Sequence, residues 1–352
     1  MRYLMFIVSE ESWKEHEAIN IAAINDPAEK APNARNKEAM RQSAITEVSG
    51  IRKGDIIFFY VRTIKKILGV YEATTNAFYD TQLLLPNAIV IDKKIVIDKK
   101  FPFRVGFRKI IDFPNPISID DLWAGRDEGI IWTIQQSRGD AVGNHACINF
   151  SKKEGEAIIR MFKESNINYK EVNAKVNKIN VHAQLPTNLI HINGVFKFER
   201  SLQSFLLEDF ADNKHQNLFG EYDNFLVNIP TSSRKEIDIL LLKHDDKGVI
   251  SYQILELQKD KFDMEHVSRL VLYEQWIRRT KEKGNPRNVY SIAIASDFDK
   301  DVIEYVKRRP EYNEKIIRLI KYIYNPNTNQ IELQEVTPTG EELPEIREVE
   351  DD

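Results

Sequence analysis

The chain has 352 residues, enough for two domains of ordinary size. A net charge of −4 excludes a globally basic nucleic-acid coat, and 42% hydrophobic residues exclude a disordered chain. The single cysteine, Cys147, excludes an internal disulfide and fits a reducing compartment.

In chain order, Tyr3–Val8 reads as a first strand rather than a signal peptide, whose apolar region is longer. No apolar run reaches membrane-spanning length, so a cytoplasmic protein is expected. Ser12 with Glu15 predicts a capped helix running to Ile24, before Pro27 and Pro32 interrupt. Gly50–Asp55 is a turn into the strong strand Ile56–Val61, and Ile67–Ala73 returns as its partner. Within Ile89–Lys100 the segment IVIDKK occurs twice, read as short strands with a charged turn. Phe101–Arg108 alternates as a strand does, and Pro114 and Pro116 stop it. Ser118–Trp123 is a helical turn. Ser151 and Glu154 have the capping-box spacing for a closing helix over Lys152–Lys163.

This order resembles the PUA-like fold in its EVE and YTH-like branches, over most of residues 1–165. The resemblance rests on Tyr3–Val8 with Trp13, Gly54–Tyr60, Gly69–Ala73, Phe101–Val105, Gln136–Asp140 and the closing helix. It implies a β-barrel with helices that takes a modified or flipped base into an aromatic-lined pocket. Trp13, Tyr60, Tyr79 and Trp132 are the candidate pocket aromatics, with Asp140 as their polar partner. Each of these rings is also of a kind that serves simply as core packing.

Residues 166–194, rich in Asn and Lys, read as a linker, within which Val176–Leu185 has weak element character. A second unit is expected over 195–336. Phe198, Leu202, Phe205 and Leu206 share one helical face, with Glu199 at its border. A β-hairpin follows. Ile237–Leu242 is apolar except for Asp238, Asp245–Gly248 is a turn, and Val249–Leu257 is apolar-rich with Glu256 near its end. Alternation puts Glu256 and Gln258 on one face, and Lys259 on the other unless the strand bulges. A carboxylate inside an apolar strand must be protonated, paired or bound to a cation. Two such groups facing one point suit Mg²⁺ or Mn²⁺, which take hard oxygen ligands. Asp263–Lys283 reads as a long helix with Arg269, Tyr273 and Trp276 on one stripe and a basic end at Arg278, Arg279, Lys281 and Lys283. Asn288–Ala295 is a buried strand, Asp299–Lys307 a helix, and Ile316–Tyr324 and Gln330–Val336 the last strands. The tail 337–352 is acidic, with seven acids against Arg347 from Glu341 onward.

The hairpin resembles that of the PD-(D/E)xK nucleases, in Ile237-Asp238 and Glu256-Leu257-Gln258, and in particular the NucS-like nuclease domain. There, a helix with a Glu precedes the hairpin, matched here by Glu199, and a helix with a Gln and a Tyr follows, matched by Arg269 and Tyr273. Two residues depart from the pattern: Gln258 stands for the family's Lys, and Arg269 for its Gln. The resemblance implies an α/β restriction-endonuclease-like core and hence an α+β two-domain protein. It implies a metal held by Asp238, Glu256 and the Leu257 carbonyl, with Gln258 orienting water and Glu199 assisting. The expected function is a metal-dependent endonuclease on DNA, aimed by the N-terminal domain at a modified base, as in modification-dependent restriction. Two alternatives stand beside it: a reader of modified RNA or DNA with a degenerate nuclease domain, and a structure-specific repair nuclease. Nucleases that cut both strands of double-stranded DNA with one site per chain usually need a dimer, so a homodimer is one expected assembly.

Overall fold

The computed structural model describes the chain apart from residues 28–33, 83, 85–88, 92–93, 97–100, 135–144, 173, 175–178, 180, 182, 186–190, 232–234, 247, 286 and 337–352. Asp140, the acidic tail and part of the expected linker therefore lie outside the described residues. The protein is a mixed α+β chain, and two units are separable. The first comprises Met1–Asn188 with Ser204–Lys214 and Asn224–Pro230; the second comprises Leu189–Gln203, His215–Asp223 and the chain from Thr231. Among the described residues no helix is long and apolar enough to cross a membrane.

The first unit begins β1 (Tyr3–Val8), α1 (Glu10–Ile19), β2 (Ile21–Ile24), α2 (Ala34–Val48), β3 (Ile56–Val61), β4 (Lys66–Ala73) and β5 (Phe78–Tyr79). It continues β6 (Ile89–Ile91), β7 (Lys94–Val96), β8 (Phe103–Asp112), β9 (Ile117–Ser118), α3 (Ile119–Asp127), β10 (Cys147–Phe150), α4 (Lys152–Glu164), β11 (Lys170–Glu171) and β12 (Ala183–Gln184). Strand β1 runs parallel to β3 and antiparallel to β10, while β3 and β4 form an antiparallel hairpin. Strand β8 is long enough to meet β2 and β5 with its first half and β4 with its second.

Strands β1 and β3 are buried on both faces, because they are apolar at every position rather than at alternate ones. Leu4, Phe6 and Val8 pack with Ile57, Phe59 and Val61 on one side; Tyr3 and Met5 pack with Ile56, Phe58 and Tyr60 on the other. Helix α4 closes the second side. Its capping box is the expected one: the Ser151 hydroxyl accepts from the Glu154 N–H, and the Glu154 carboxylate accepts from the Ser151 N–H at 2.8 Å. That carboxylate also accepts from the N–H groups of Trp132 (2.6 Å) and Thr133 (2.8 Å), so one buried side chain fixes two segments. At α1 the cap is Ser9 rather than Ser12; Ser12 is the third helical residue and answers with its own hydroxyl. The helix accordingly ends at Ile19, where Asn20 turns left-handed (φ 58°). The turn expected at 118–123 is the capped helix α3, with Ser118 as its N-cap.

Elements of the second unit are β13 (His191–Ile192) and β14 (Val195–Phe196), then helix α5 (Glu199–Ala211), which begins in this unit, and α6 (Gln216–Phe219). After β15 (Asn224–Pro230), which groups with the first unit, come β16 (Glu236–Asp245), β17 (Gly248–Phe262), α7 (Met264–Thr280), β18 (Val289–Phe298), α8 (Lys300–Arg308), β19 (Arg318–Asn325) and β20 (Gln330–Val336). Strands β16 and β17 are antiparallel. β17, β18 and β19 are mutually parallel, joined by α7 and α8 as crossover helices, and β20 returns antiparallel. Strand β18 is buried along nearly its whole length, as its run of Ile and Ala requires.

Candidate active site

The site forms where β16 and β17 run side by side. The ladder pairs Ile239 with Leu255, so one step further the same register sets Asp238 opposite Glu256. The Leu257 N–H donates instead to Asp238 Oδ2, at 2.9 Å, so the side chain holds the two strands together where the acids lie. Helix α5 braces Asp238 from the other side. Gln203 donates its Nε2 to the Asp238 carbonyl at 2.8 Å, and Arg200 Nη1 donates to Gln203 Oε1 at 2.6 Å. Glu199 opens that helix, one turn before Gln203, so both lie on its site-facing side.

Glu256 is 1% exposed, and neither carboxylate oxygen has a hydrogen-bond partner. It forms an ion pair with Arg269 of α7, whose Nη1 sits 3.1 Å from Oε1 without hydrogen-bond alignment. Burial and then the neighbouring Asp238 push the Glu256 carboxyl up to about 9, against the pull of Arg269. Burial, then Asp238, raises Glu199 to about 7. Asp238 is raised by burial, although its bond from Leu257 and the charges of Arg200 and Arg269 pull the other way. Tyr273 is buried on α7; burial first, then Glu256 and Asp238, raise its hydroxyl. Three acids pushed up together, partly by one another, mark a place built for positive charge.

The fit to a divalent ion can be judged from these groups. Among the described residues no three His, Cys, Asp or Glu side chains are gathered closely enough to hold a metal by themselves. Mg²⁺ asks for less: one or two carboxylates, with water filling the rest of its shell. Asp238 and Glu256 meet that requirement, and the orphaned Glu256 oxygens are those a cation would satisfy.

Gln258 lies two residues beyond Glu256 on the same face. Its Nε2 is 2.6 Å from His266 Nε2, and His266 Nδ1 is 2.6 Å from Asp263 Oδ1. Strand β17 continues past it to Phe262, with an irregularity between Gln258 and Lys261, and Lys259 ion-pairs with Asp260. His266, Asp263, Arg200 and Gln203 are additions that the sequence reading missed. Asp263–His266 was legible as an acid and a histidine one turn apart at a helix start, and Gln203 as the residue one turn after Glu199.

Of the candidate pocket aromatics, Tyr79 packs against the cluster that holds Trp13, whereas Tyr60 belongs to a different cluster. Trp13 is 7% exposed and stacked among Phe59, Tyr71 and Phe107, on one side of the β1–β3–β4 sheet. Tyr60 is buried in the cluster on the opposite side. Tyr79 tilts against Phe103, and Trp132 is partly buried in the segment held by Glu154. The sheet separates Trp13 from Tyr60, because successive strand residues point to opposite faces. Trp13 and Tyr60 are core residues, and Asp140 lies outside the described residues.

Residues 29–160 match the EVE domain family. Solved structures with partial similarity include a hypothetical protein from Leishmania major (15% identity, TM-score 0.32, 47% of this chain and 96% of that one). Human THYN1 in complex with 5-methylcytosine-containing DNA aligns at 14% identity and TM-score 0.28, over 46% of this chain and 98% of that one. A repair endonuclease from Pyrococcus abyssi aligns at 18% identity and TM-score 0.24, over 32% of this chain and 45% of that one. No curated protein matches the chain.

Proposed function

We propose that this protein is a divalent-metal-dependent nuclease whose EVE-matching unit directs it to DNA carrying a modified base. The observation that carries the hydrolytic half is the buried, hydrogen-bond-free carboxylate of Glu256, facing Asp238 across the hairpin. Asp238, Glu256 and the Leu257 carbonyl would hold the ion. When bound, the ion supplies charge that stabilises a pentavalent phosphate and acidifies a water. Gln258 would orient the attacking water, whose oxygen bonds to phosphorus as the bond to the leaving sugar oxygen breaks. Glu199 would take the water's proton, and solvent would protonate the leaving oxygen. Burial and Asp238 raise Glu199 to about 7, which suits a proton acceptor near neutral pH. The match over 29–160 supports the base-reading half.

One observation favours a second reading. Arg269 beside Glu256 supplies the positive charge from the chain itself, which suits an inert hairpin kept for backbone contact in a binding protein.

A cleavage assay decides between them. Methylated and unmodified duplexes are incubated with the full chain and Mg²⁺ or Mn²⁺. Wild type is expected to cut, preferring one modified duplex, and Asp238→Ala and Glu256→Ala to lose at least about a hundredfold, or 2.7 kcal/mol of barrier. Equal cutting by wild type and both variants sinks the nuclease reading, and the absence of any cutting alongside tight DNA binding selects the second.

A further inference from the structure

We infer that Asp263 and His266 are positioning residues that lock the side-chain amide of Gln258 with its oxygen toward the carboxylate site. The inference rests on the nuclease reading of the hairpin and adds to it the device by which a glutamine serves where a lysine is expected.

Asp263 caps α7: its Oδ1 accepts from the N–H groups of Glu265 (2.9 Å) and His266 (3.1 Å). The same oxygen is 2.6 Å from His266 Nδ1. A carboxylate only accepts, so Nδ1 carries the hydrogen. In the tautomer whose hydrogen sits on Nδ1, Nε2 is a bare acceptor, and Gln258 Nε2, 2.6 Å away, is its donor. That fixes the Gln258 NH₂ on His266 and leaves the amide oxygen for the face Gln258 shares with Glu256. An oxygen there accepts one hydrogen of a water and turns that water's lone pair outward. A flipped amide would present NH₂ and do the reverse.

Position 266 is made for holding. His266 is 9% exposed, and its ring tilts against Phe262 at 5.1 Å. Asp263 is held in place by the helix start it caps.

The test uses the full chain and two independent readouts. The first is nitrogen NMR of the imidazoles in metal-free protein, with His266→Phe identifying the signal. Wild type should show the His266 proton on Nδ1 and a bare Nε2. Asp263→Ser keeps a capping hydroxyl but is too short to serve Nδ1, and should shift the signal toward the other tautomer; Asp263→Asn should restore it in part. The second readout is cleavage. His266→Phe and Asp263→Ser should each lower kcat about tenfold with KM within twofold. His266→Phe added to Gln258→Ala should cost less than a further twofold. A wild-type proton on Nε2, or additive losses in the double variant, overturns the lock. The expected tautomer in a chain that cuts nothing overturns the nuclease reading and the catalytic purpose of the lock with it, while leaving the hydrogen-bond assignment standing.

Discussion

Three acids with raised protonation equilibria make the stability of the metal-free protein depend on pH in a definite direction. In the unfolded chain Glu199 and Glu256 titrate near 4.5 and Asp238 near 3.8. In the folded protein Glu199 is raised to about 7 and Glu256 to about 9, and Asp238 is raised as well. Groups raised on folding bind more protons folded than unfolded, so their contribution is full below the unfolded values and is lost as pH rises through the folded ones. Without divalent ions, melting temperature should fall between pH 5 and pH 9. The gain from added Mn²⁺ should grow over the same window, since the ion must displace those protons. Glu256→Gln should raise the metal-free melting temperature at pH 8, because an amide is neutral folded and unfolded, whereas the native carboxyl must take up a proton on folding. A melting temperature flat in pH, or lowered by Glu256→Gln, contradicts this electrostatic picture. Gln258 makes a second residue-scale test. Gln258→Lys should stay within about tenfold of wild-type cleavage, 1.4 kcal/mol, while Gln258→Ala should lose more. The reverse ranking removes Gln258 from the chemistry.

At the scale of elements, Glu154 does the most with one side chain. It is fully buried and accepts from two groups of Ser151 and from Trp132 and Thr133. Glu154→Ala orphans those donors and should cost roughly 3 kcal/mol in chemical denaturation of the full chain, with Glu154→Gln costing less. A loss under about 0.5 kcal/mol would show the segment at 132–133 is held by other means. This cap was legible in the sequence, as Ser-x-x-Glu before an apolar periodic run. So was the hairpin of β16 and β17, because its acids interrupt otherwise apolar β-rich runs. Helix α2 and strands β2 and β15 were not. Pro27 and Pro32 masked the helix start at Ala34, and Ile21–Ile24 reads as the end of the preceding helix because an apolar run of four has no period of its own. The convergence of His266 on Gln258 needs the register of β17 against α7, which spacing along the chain does not contain.

At the scale of the whole molecule, the first unit includes stretches far along the chain. Arg52 pairs with Glu208 at 2.8 Å and Asp212 at 2.8 Å, and buried Arg2 lies 3.9 Å over the Phe225 ring. A fragment ending at residue 165 leaves both arginines without these partners. It should melt below a fragment ending at residue 230, by an amount Arg52→Ala reproduces in part. Equal melting temperatures would mean that residues 204–230 add nothing to this unit. Nuclease chemistry at the hairpin requires that it hold a cation. Calorimetric titration of the full chain with Mn²⁺ at pH 8 measures that without a substrate. The predicted result is saturable binding of one ion per chain, weakened at least about tenfold by Glu256→Gln and by Asp238→Asn, each variant still folded. Absence of binding, or binding unchanged in the two variants, contradicts it.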